Sequence, residues 1–567
     1  MTVVPELTPK QVATPFPISP DVPQDAYTYD YIICGGGTAG CVLASRLSED
    51  PAVSVLLIEQ GPVADTWTSR VPLLSLNVFE NDVKTARWWS QPLTHADNRF
   101  LQIIRGDALG GTSRINGMLY TRGSPGDYNQ WALLGNEGWS YDDLEPYFVK
   151  SETTRTHPRS QYRGTSGPWQ NQQFEDAPYK INPLIEHAIQ KAGIPKVRDV
   201  NDPATPAACS ATMDISQNAS FHRHSTYLAF LPPALCHTRK ERLKVCTNAV
   251  VCKIEVETEN DGGLRATGVQ FETADARQAD RRYVARARRE VIVCGGALGS
   301  PQMLMLSGGL VPRTCPVSCA RLSLTNPQSD HSAVPVAWEV PLSETSPPSS
   351  QRASSPPPRA TPPRRTHASD LDAAVPANRP DIEFMHLANN ASDVETPPGT
   401  GIYTLLATLI RPSSTGSVRL ATANPRERPA VDSASSPTRD YVPLRKAIRF
   451  ALGVGRDVRA RGYSLQDYAV PRGGEGASDA ALDAFVRANV RTCFHYAGTC
   501  RMGAQAEGGG GKDPRPSVVD ARLRVHGVRG LRVADTSVFP EIIGSHTMAP
   551  AVVVAEKCAD MVKESWR

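Results

Sequence analysis

The stretch from Tyr29 to Glu59 holds residues whose types and spacing suit one chemistry, the cradling of a dinucleotide's phosphates. Gly35-Gly36-Gly37-Thr38-Ala39-Gly40 follows an apolar run and fits G-x-G-x-x-G. Gly35 permits a tight turn, Gly37 lets backbone approach a pyrophosphate, and Gly40 lets a helix pack close to a strand. Thr38 and Ala39 open that helix, whose first N–H groups and partial positive charge face the phosphates. Glu59 stands 19 residues beyond Gly40, where it can accept hydrogen bonds from ribose hydroxyls and would repel a 2′-phosphate. The glycine turn by itself does not distinguish FAD from NAD.

Elements of matching length must position these residues. Tyr31 to Cys34 reads as a buried strand, Cys41 to Leu47 as a helix and Val53 to Ile58 as a second strand, a βαβ unit. Arg105 to Gly123 (RGDALGGTSRINGMLYTRG) is dense in Gly, Ser, Thr and Asn and suits a backbone-lined ligand wall. Residues 127–150 read as helical, with Ser140 or Asp142 capping a helix that ends near Lys150, and residues 182–193 as another helix. Leu243 to Val256, Ala266–Phe271 and Arg282–Ala287 predict an antiparallel meander. A buried strand from Glu290 then stops at glycines, and Leu298 to Leu306 follows as a helix. Further strands are expected at Thr404–Ile410 and Ser417–Leu420, and helices around Leu444–Val454 and 480–490. A Gly-rich loop at 505–516, a strand ending in Asp535 and a helix from Ala549 to Glu564 close the chain.

Composition limits the class. A chain of 567 residues exceeds one hydrophobic core, so two or more lobes are expected. Hydrophobic content of 40% and charged content of 21% fit a water-exposed globular fold. With a net charge of +3 and no basic run interleaved with aromatics, nucleic acid is not an expected partner. No apolar run is long enough to span a membrane, and the Pro-rich N-terminus lacks the apolar core of a secretory signal. A cytoplasmic location and a flexible arm over residues 1–26 are therefore expected. Of the 12 cysteines several lie in apolar runs, as Cys34, Cys41, Cys294 and Cys558 do. Cys315 and Cys319 are a close pair without the partners of a zinc site, and His222 and His224 lack a third ligand nearby. No metal is expected.

Five separated blocks resemble the glucose–methanol–choline (GMC) flavoprotein oxidoreductases. They are GGGTAG with Glu59; residues 105–123; GALGSPQMLMLSGG at 296–309; HYAGTCRMG at 495–503; and GVRGLRVADTSVFPEIIGSHTMAPAVVVAEKCADM at 527–561. The resemblance implies a mixed α/β fold, with a Rossmann-like FAD-binding lobe and a substrate lobe of β-sheet plus helices. It implies a discontinuous FAD lobe over 27–150, 240–309 and 520–567, and a substrate lobe over 151–239 and 380–519. It also implies FAD as the dinucleotide. Gly110, Thr112, Asn116, Gly117, Met118 and Leu119 would lie along the flavin, and Gln60 beside Glu59 at the ribose. Val250 would meet adenine, and Ala534 and Asp535 would lie near the pyrophosphate and ribityl chain. Thr547 and Met548 would open a helix aimed at the flavin's pyrimidine carbonyl. Some relatives attach FAD through a histidine in the second block; this chain has Arg114-Ile115-Asn116 there, so the FAD is expected to be non-covalent.

The same resemblance places His495 and His546 before the flavin N5. An imidazole can take an alcohol's hydroxyl proton while the carbon-bound hydrogen leaves as hydride. His495 is then the expected base, and His546 binds the substrate oxygen or shares the proton. The histidine pair points to the subgroup that resembles fungal aryl-alcohol oxidases and secondary-metabolite dehydrogenases. The expected substrate is a small aryl or polyketide-like alcohol, with oxygen or another electron acceptor as second partner and the oligomeric state open. The chain departs from the family pattern over residues 310–379, where only Ser329-Asp330-His331 is recognisable before a Pro/Ser/Arg-rich run at 341–379. That region is expected to be divergent and disordered, and an impaired or inactive flavin-binding remnant is the alternative reading.

Overall fold

A computed structural model describes residues 4–19, 23, 25–79, 81–174, 179–275, 277, 281–308, 323–342, 372–433, 437–504, 513 and 515–567. The chain starts with the expected βαβ unit: β1 (Thr28–Cys34), α1 (Thr38–Leu47) and β2 (Val55–Ile58). Ile32, Ile33 and Cys34 of β1 and Val55 to Leu57 of β2 are fully buried. Burying such a side chain stabilises the fold by about 1.5–3 kcal/mol. Two helices follow, α2 (Pro125–Leu133) and α3 (Tyr141–Ser151), within the stretch 127–150 read as helical and with the second starting at the expected Ser140 cap. Gly135 and Gly138, both at positive φ, turn the chain between them. Ser140 caps α3 by accepting from the Asp143 N–H.

Next come β3 (Leu243–Cys246), β4 (Ala249–Thr258), β5 (Leu264–Thr273), β6 (Arg282–Val293) and α4 (Gly296–Leu306). β4, β5 and the first half of β6 form the expected antiparallel meander. The second half of β6 runs parallel to β1, with Val293 opposite Cys34. The sheet order is therefore β3-β2-β1-β6-β5-β4.

A second lobe is built on β7 (Ser332–Val340), β8 (Ile382–Leu387), β9 (Gly401–Leu409), α5 (Pro437–Ala460), β10 (Gln466–Ala469) and β11 (Arg491–Thr492). Its strands are antiparallel in the order β8-β9-β7-β10, with β11 beside β7. Leu444, Ile448, Leu452 and Val454 of α5 pack with Val334, Val336 and Trp338 of β7 in one apolar core. The chain then returns to the first sheet as β12 (Leu531–Val533), parallel to β6, and ends in α6 (Met548–Ser565). α6 is held against α1 and α3 by Arg46–Glu556 at 2.8 Å and Lys150–Asp560 at 3.2 Å.

Two expectations need correction. The N-terminal arm is docked where it is described: Val4 and Val12 are buried in the first core, and Thr14–Phe16 pairs antiparallel with β6. Apolar burial there offsets the ordering entropy that a Pro-rich arm would otherwise keep. Within the span 310–379, residues 332–340 are also ordered, because β7 lies there and is hydrogen-bonded to β9, β10 and β11. Its run Ala-Val-Pro-Val-Ala-Trp-Glu-Val buries side chains on both faces, so it belongs with the substrate lobe. The Pro/Ser/Arg-rich residues 343–371, the Cys315 and Cys319 pair, and most of the Gly-rich loop at 505–516 lie outside the described residues. Among the described residues no helix is long and apolar enough to cross a membrane.

Candidate active site

A cavity of about 720 Å³ runs between the lobes. One end is lined by Gly35, Gly37, Thr38, Ala39, Glu59 and Gln60. Its middle is lined by Thr112, Asn116, Gly117 and Leu119, with Val250, Asp535, Thr547 and Met548 from later segments. His495 and His546 line it as well. Gly40, Gly110, Met118 and Ala534 do not line it. Gly40 serves packing instead: a Cβ there would stand 1.9 Å from the Gly35 carbonyl oxygen, so only hydrogen lets α1 sit this close to the turn. Gly110 donates its N–H to the Gly36 carbonyl at 2.7 Å, which ties the second block to the glycine turn. Met118 and Ala534 are almost wholly buried. The Ala534 N–H donates to Val293, and the Met118 carbonyl accepts from Ser216.

The residues present fit FAD. The free N–H groups that open α1 face this cavity, as a pyrophosphate requires. Glu59 is fixed by the Gly36 N–H at 2.7 Å and the Gly61 N–H at 2.8 Å, each of which uses one lone pair and leaves others for ribose hydroxyls. Burial pushes its carboxyl above the usual range, against the pull of those amides. Arg105 lines the same cavity with its Nε buried and unpartnered, and burial pulls its guanidinium down to about 10. A half-buried cation lining the cavity without a salt-bridging carboxylate suits a ligand that carries phosphates. Asp535 is held by the Gly296 N–H at 2.9 Å, the Ser300 hydroxyl at 2.6 Å and the Ser537 N–H at 2.8 Å.

The histidines come together from distant segments. His495 follows β11, and Phe494 before it takes a left-handed φ of 61° that turns the chain. The His495 N–H donates to Asp330 Oδ1 at 2.9 Å. His546 directly precedes the opening of α6. His546 Nδ1 lies 3.2 Å from His495 Nε2, and the two rings are perpendicular with centroids 4.9 Å apart. Burial pushes the His495 imidazole well below its ordinary value, and His546 and His331 beside it push the same way. It is therefore neutral near neutral pH, with one lone pair able to take a proton. Burial holds the Asp330 carboxyl up at about 7, against hydrogen bonds from Thr492 and the His495 and His331 amides.

Two neighbours of this pair were not assigned roles from sequence. His331 Nδ1 is 2.8 Å from His495 Nδ1, and its Nε2 is 3.0 Å from the Ile543 carbonyl oxygen. The recognisable Ser329-Asp330-His331 remnant was the available signal. Glu383 of β8 places Oε1 3.3 Å from His546 Nε2, and nothing in its local sequence marks it. Along β8 the alternation of side chains brings Glu383, Met385 and Leu387 to the face that meets the cavity, and Met385, Leu387 and Leu406 line it. His222 and His224 do not form a ligand set: His224 Nδ1 accepts from the Gln170 N–H, and burial pulls the ring down to about 4. Among the described residues His157, Asp199 and Asp214 do converge. Arg163 already pairs with Asp214 at 2.6 Å and stands 3.5 Å from Asp199.

Comparison with known proteins shows the family of the chain. The GMC oxidoreductase family models match residues 29–318 and 412–555. The chain is 31% identical to the mitochondrial choline dehydrogenase of Mus musculus, over 96% of this chain and 90% of that protein. The crystal structure of a formate oxidase superposes with a TM-score of 0.79 at 23% identity, covering 95% of this chain and 98% of that one. Pyridoxine 4-oxidase from Mesorbium loti superposes with a TM-score of 0.78 at 25% identity, covering 94% and 98%. This chain belongs to the GMC oxidoreductase family, with FAD as its cofactor.

Proposed function

We propose that this protein oxidises an alcohol to a carbonyl, with His495 as the base that takes the hydroxyl proton. The observation that carries the reading is the contact of His495 Nε2 with His546 Nδ1, in a cavity whose other end is the glycine turn. Bound FAD supplies the hydride acceptor. Thr38 and Ala39 would offer backbone N–H groups to its pyrophosphate, Glu59 and Gln60 would hold the ribose, and Val250 would contact the adenine. Asp535 would hold the ribityl chain, and the N-terminus of α6 at Thr547 and Met548 would offer partial positive charge to the ring. The block from Gly110 to Leu119 contains no histidine, which supports a non-covalent cofactor.

His546 hydrogen-bonds the substrate oxygen or shares its proton. Low basicity suits His495 for the task, because a neutral imidazole is available over a wide pH range. Met385, Leu387, Leu406 and Phe494 make apolar cavity walls, which favours an aryl or otherwise apolar alcohol. Oxygen or another acceptor completes the cycle. The likeness to choline dehydrogenase motivates a second reading, in which the substrate is choline. The paired histidines favour a working enzyme over an inactive remnant.

The test is anaerobic bleaching of the purified yellow protein by an aryl alcohol and, separately, by choline. His495→Ala should slow bleaching by about 10²–10⁴-fold, the usual worth of a positioned base, while FAD stays bound. Bleaching of the variant at the unmodified rate would sink the assignment, and faster bleaching by choline would replace the aryl reading.

A further inference from the structure

The histidine pair stands inside a longer chain of contacts whose two ends decide where its protons sit. One end is the Ile543 carbonyl, which can only accept. His331 Nε2 lies 3.0 Å from it and must therefore donate. A neutral His331 then has its lone pair on Nδ1, so across the 2.8 Å contact His495 Nδ1 must donate. That leaves the lone pair of neutral His495 on Nε2. The other end is the buried Glu383 side chain, whose Oε1 lies 3.3 Å from His546 Nε2, at ion-pair distance though outside hydrogen-bond geometry. It favours the proton on that nitrogen and the lone pair on His546 Nδ1. His495 Nε2 and His546 Nδ1 thus present two lone pairs to each other across 3.2 Å.

We propose that His331 and Glu383 are positioning residues that together hold a one-proton vacancy between His495 and His546, and that the alcohol's hydroxyl proton fills it. This deepens the proposed oxidation and rests on it. The balance is simple. The C–H electron pair leaves with its hydrogen as hydride, the O–H proton enters the vacancy, and the C=O bond forms. The three imidazoles then carry four N–H protons, where as neutral rings they carried three. The arriving proton is held by both nitrogens rather than by one base.

Among the described residues, Asp330, Cys493, Tyr496 and Arg491 are ionisable groups beside His495. Asp330, just before β7, accepts from the His495 N–H and the Thr492 hydroxyl. Cys493 and Tyr496 flank His495, and burial pushes both of these groups up, so they stay neutral. Arg491 of β11 is paired with Asp393. Bleaching should therefore fall at low pH, as an external proton fills the vacancy in advance. Glu383→Gln should slow bleaching as well, because an amide N–H can donate to His546 Nε2 and move the imidazole proton to Nδ1, into the gap.

The direct test reads tautomers without turnover. NMR of the oxidised FAD-loaded protein with isotope-labelled imidazole nitrogens should find His331 and His546 protonated at Nε2 and His495 at Nδ1. In kinetics, His331→Leu should slow bleaching by at least about 10²-fold with KM little changed and FAD content intact, since fixing a base's tautomer can be worth up to about 10⁴. His331→Gln, which keeps a donor for Ile543 and an acceptor for His495, should recover most of that loss. A proton on His495 Nε2, or bleaching of His331→Leu at the unmodified rate, would overturn the proposal. If no alcohol bleaches the unmodified protein, the proposed oxidation fails, and the tautomer spectrum still decides the vacancy.

Discussion

The two ends of the cavity are built in opposite ways. The glycine-turn end is written in one contiguous unit, β1 to Glu59, where each residue's role follows from its immediate neighbours. The histidine end is assembled from His331, Glu383, His495 and His546, which lie on four separate segments and meet only when both lobes have folded. A contiguous site depends on local backbone geometry. An assembled one depends on sheet register and on the return of the chain to the first lobe. Substitutions at the two ends should therefore fail differently.

The largest expected effect is at the contiguous end. Gly40→Val places a side chain where the Gly35 carbonyl stands, and overpacking of a closed turn typically costs about 1–3 kcal/mol or more. The expected product is colourless or insoluble, whereas His495→Ala stays yellow; the absorbance ratio of flavin to protein separates them. Retention of full flavin content by Gly40→Val would break the contrast. Arg105→Met is next. Removing a charge-assisted hydrogen bond costs about 1.5–3 kcal/mol, so FAD affinity in a titration of apoprotein should fall by about 10–100-fold, with no effect on the pH profile of bleaching.

Asp330 sharpens the comparison from the histidine side. Its folded value of about 7 lies above the unfolded carboxyl value of about 3.9, so its ionisation opposes folding. The penalty is absent below the unfolded value, grows up to about pH 7 and is constant above it. Asp330→Asn removes it. The variant's Tm should exceed that of the unmodified protein by an amount that grows over this window, reaching about 2 °C or more, and then levels off. A constant offset at every pH would show that the carboxyl does not titrate there. The smallest effect is expected at the substrate wall, where Met385→Ala should raise KM for an apolar alcohol about fivefold, the equivalent of about 1 kcal/mol, with kcat nearly unchanged.

Legibility followed the same division. The βαβ unit, the antiparallel meander and the closing helix were readable because apolar periodicity reports local burial directly. The start of α3 at its Ser140 cap was readable from its capping residue, whereas the turn at Gly135 and Gly138 that separates it from α2 was not singled out. β7 was missed because it adjoins a compositionally unusual run, and composition averages over a short buried strand. Val12 and Thr14–Phe16 looked like part of a loose arm because their partner β6 lies far along the chain.

By itself the sequence determined the dinucleotide turn, with Gly35, Gly37, Gly40 and Glu59 in place, because steric room and hydrogen-bonding capacity there depend on residue type and short spacing. Its separated blocks also pointed to His495 and His546. Tertiary structure alone decided that His331 and Glu383 complete that pair, that Met118 and Ala534 turn into the core, and that residues 332–340 are a central strand. The reason is physical: a lone pair's direction and a side chain's burial are set by whatever packs against them, and in this fold those partners come from remote segments.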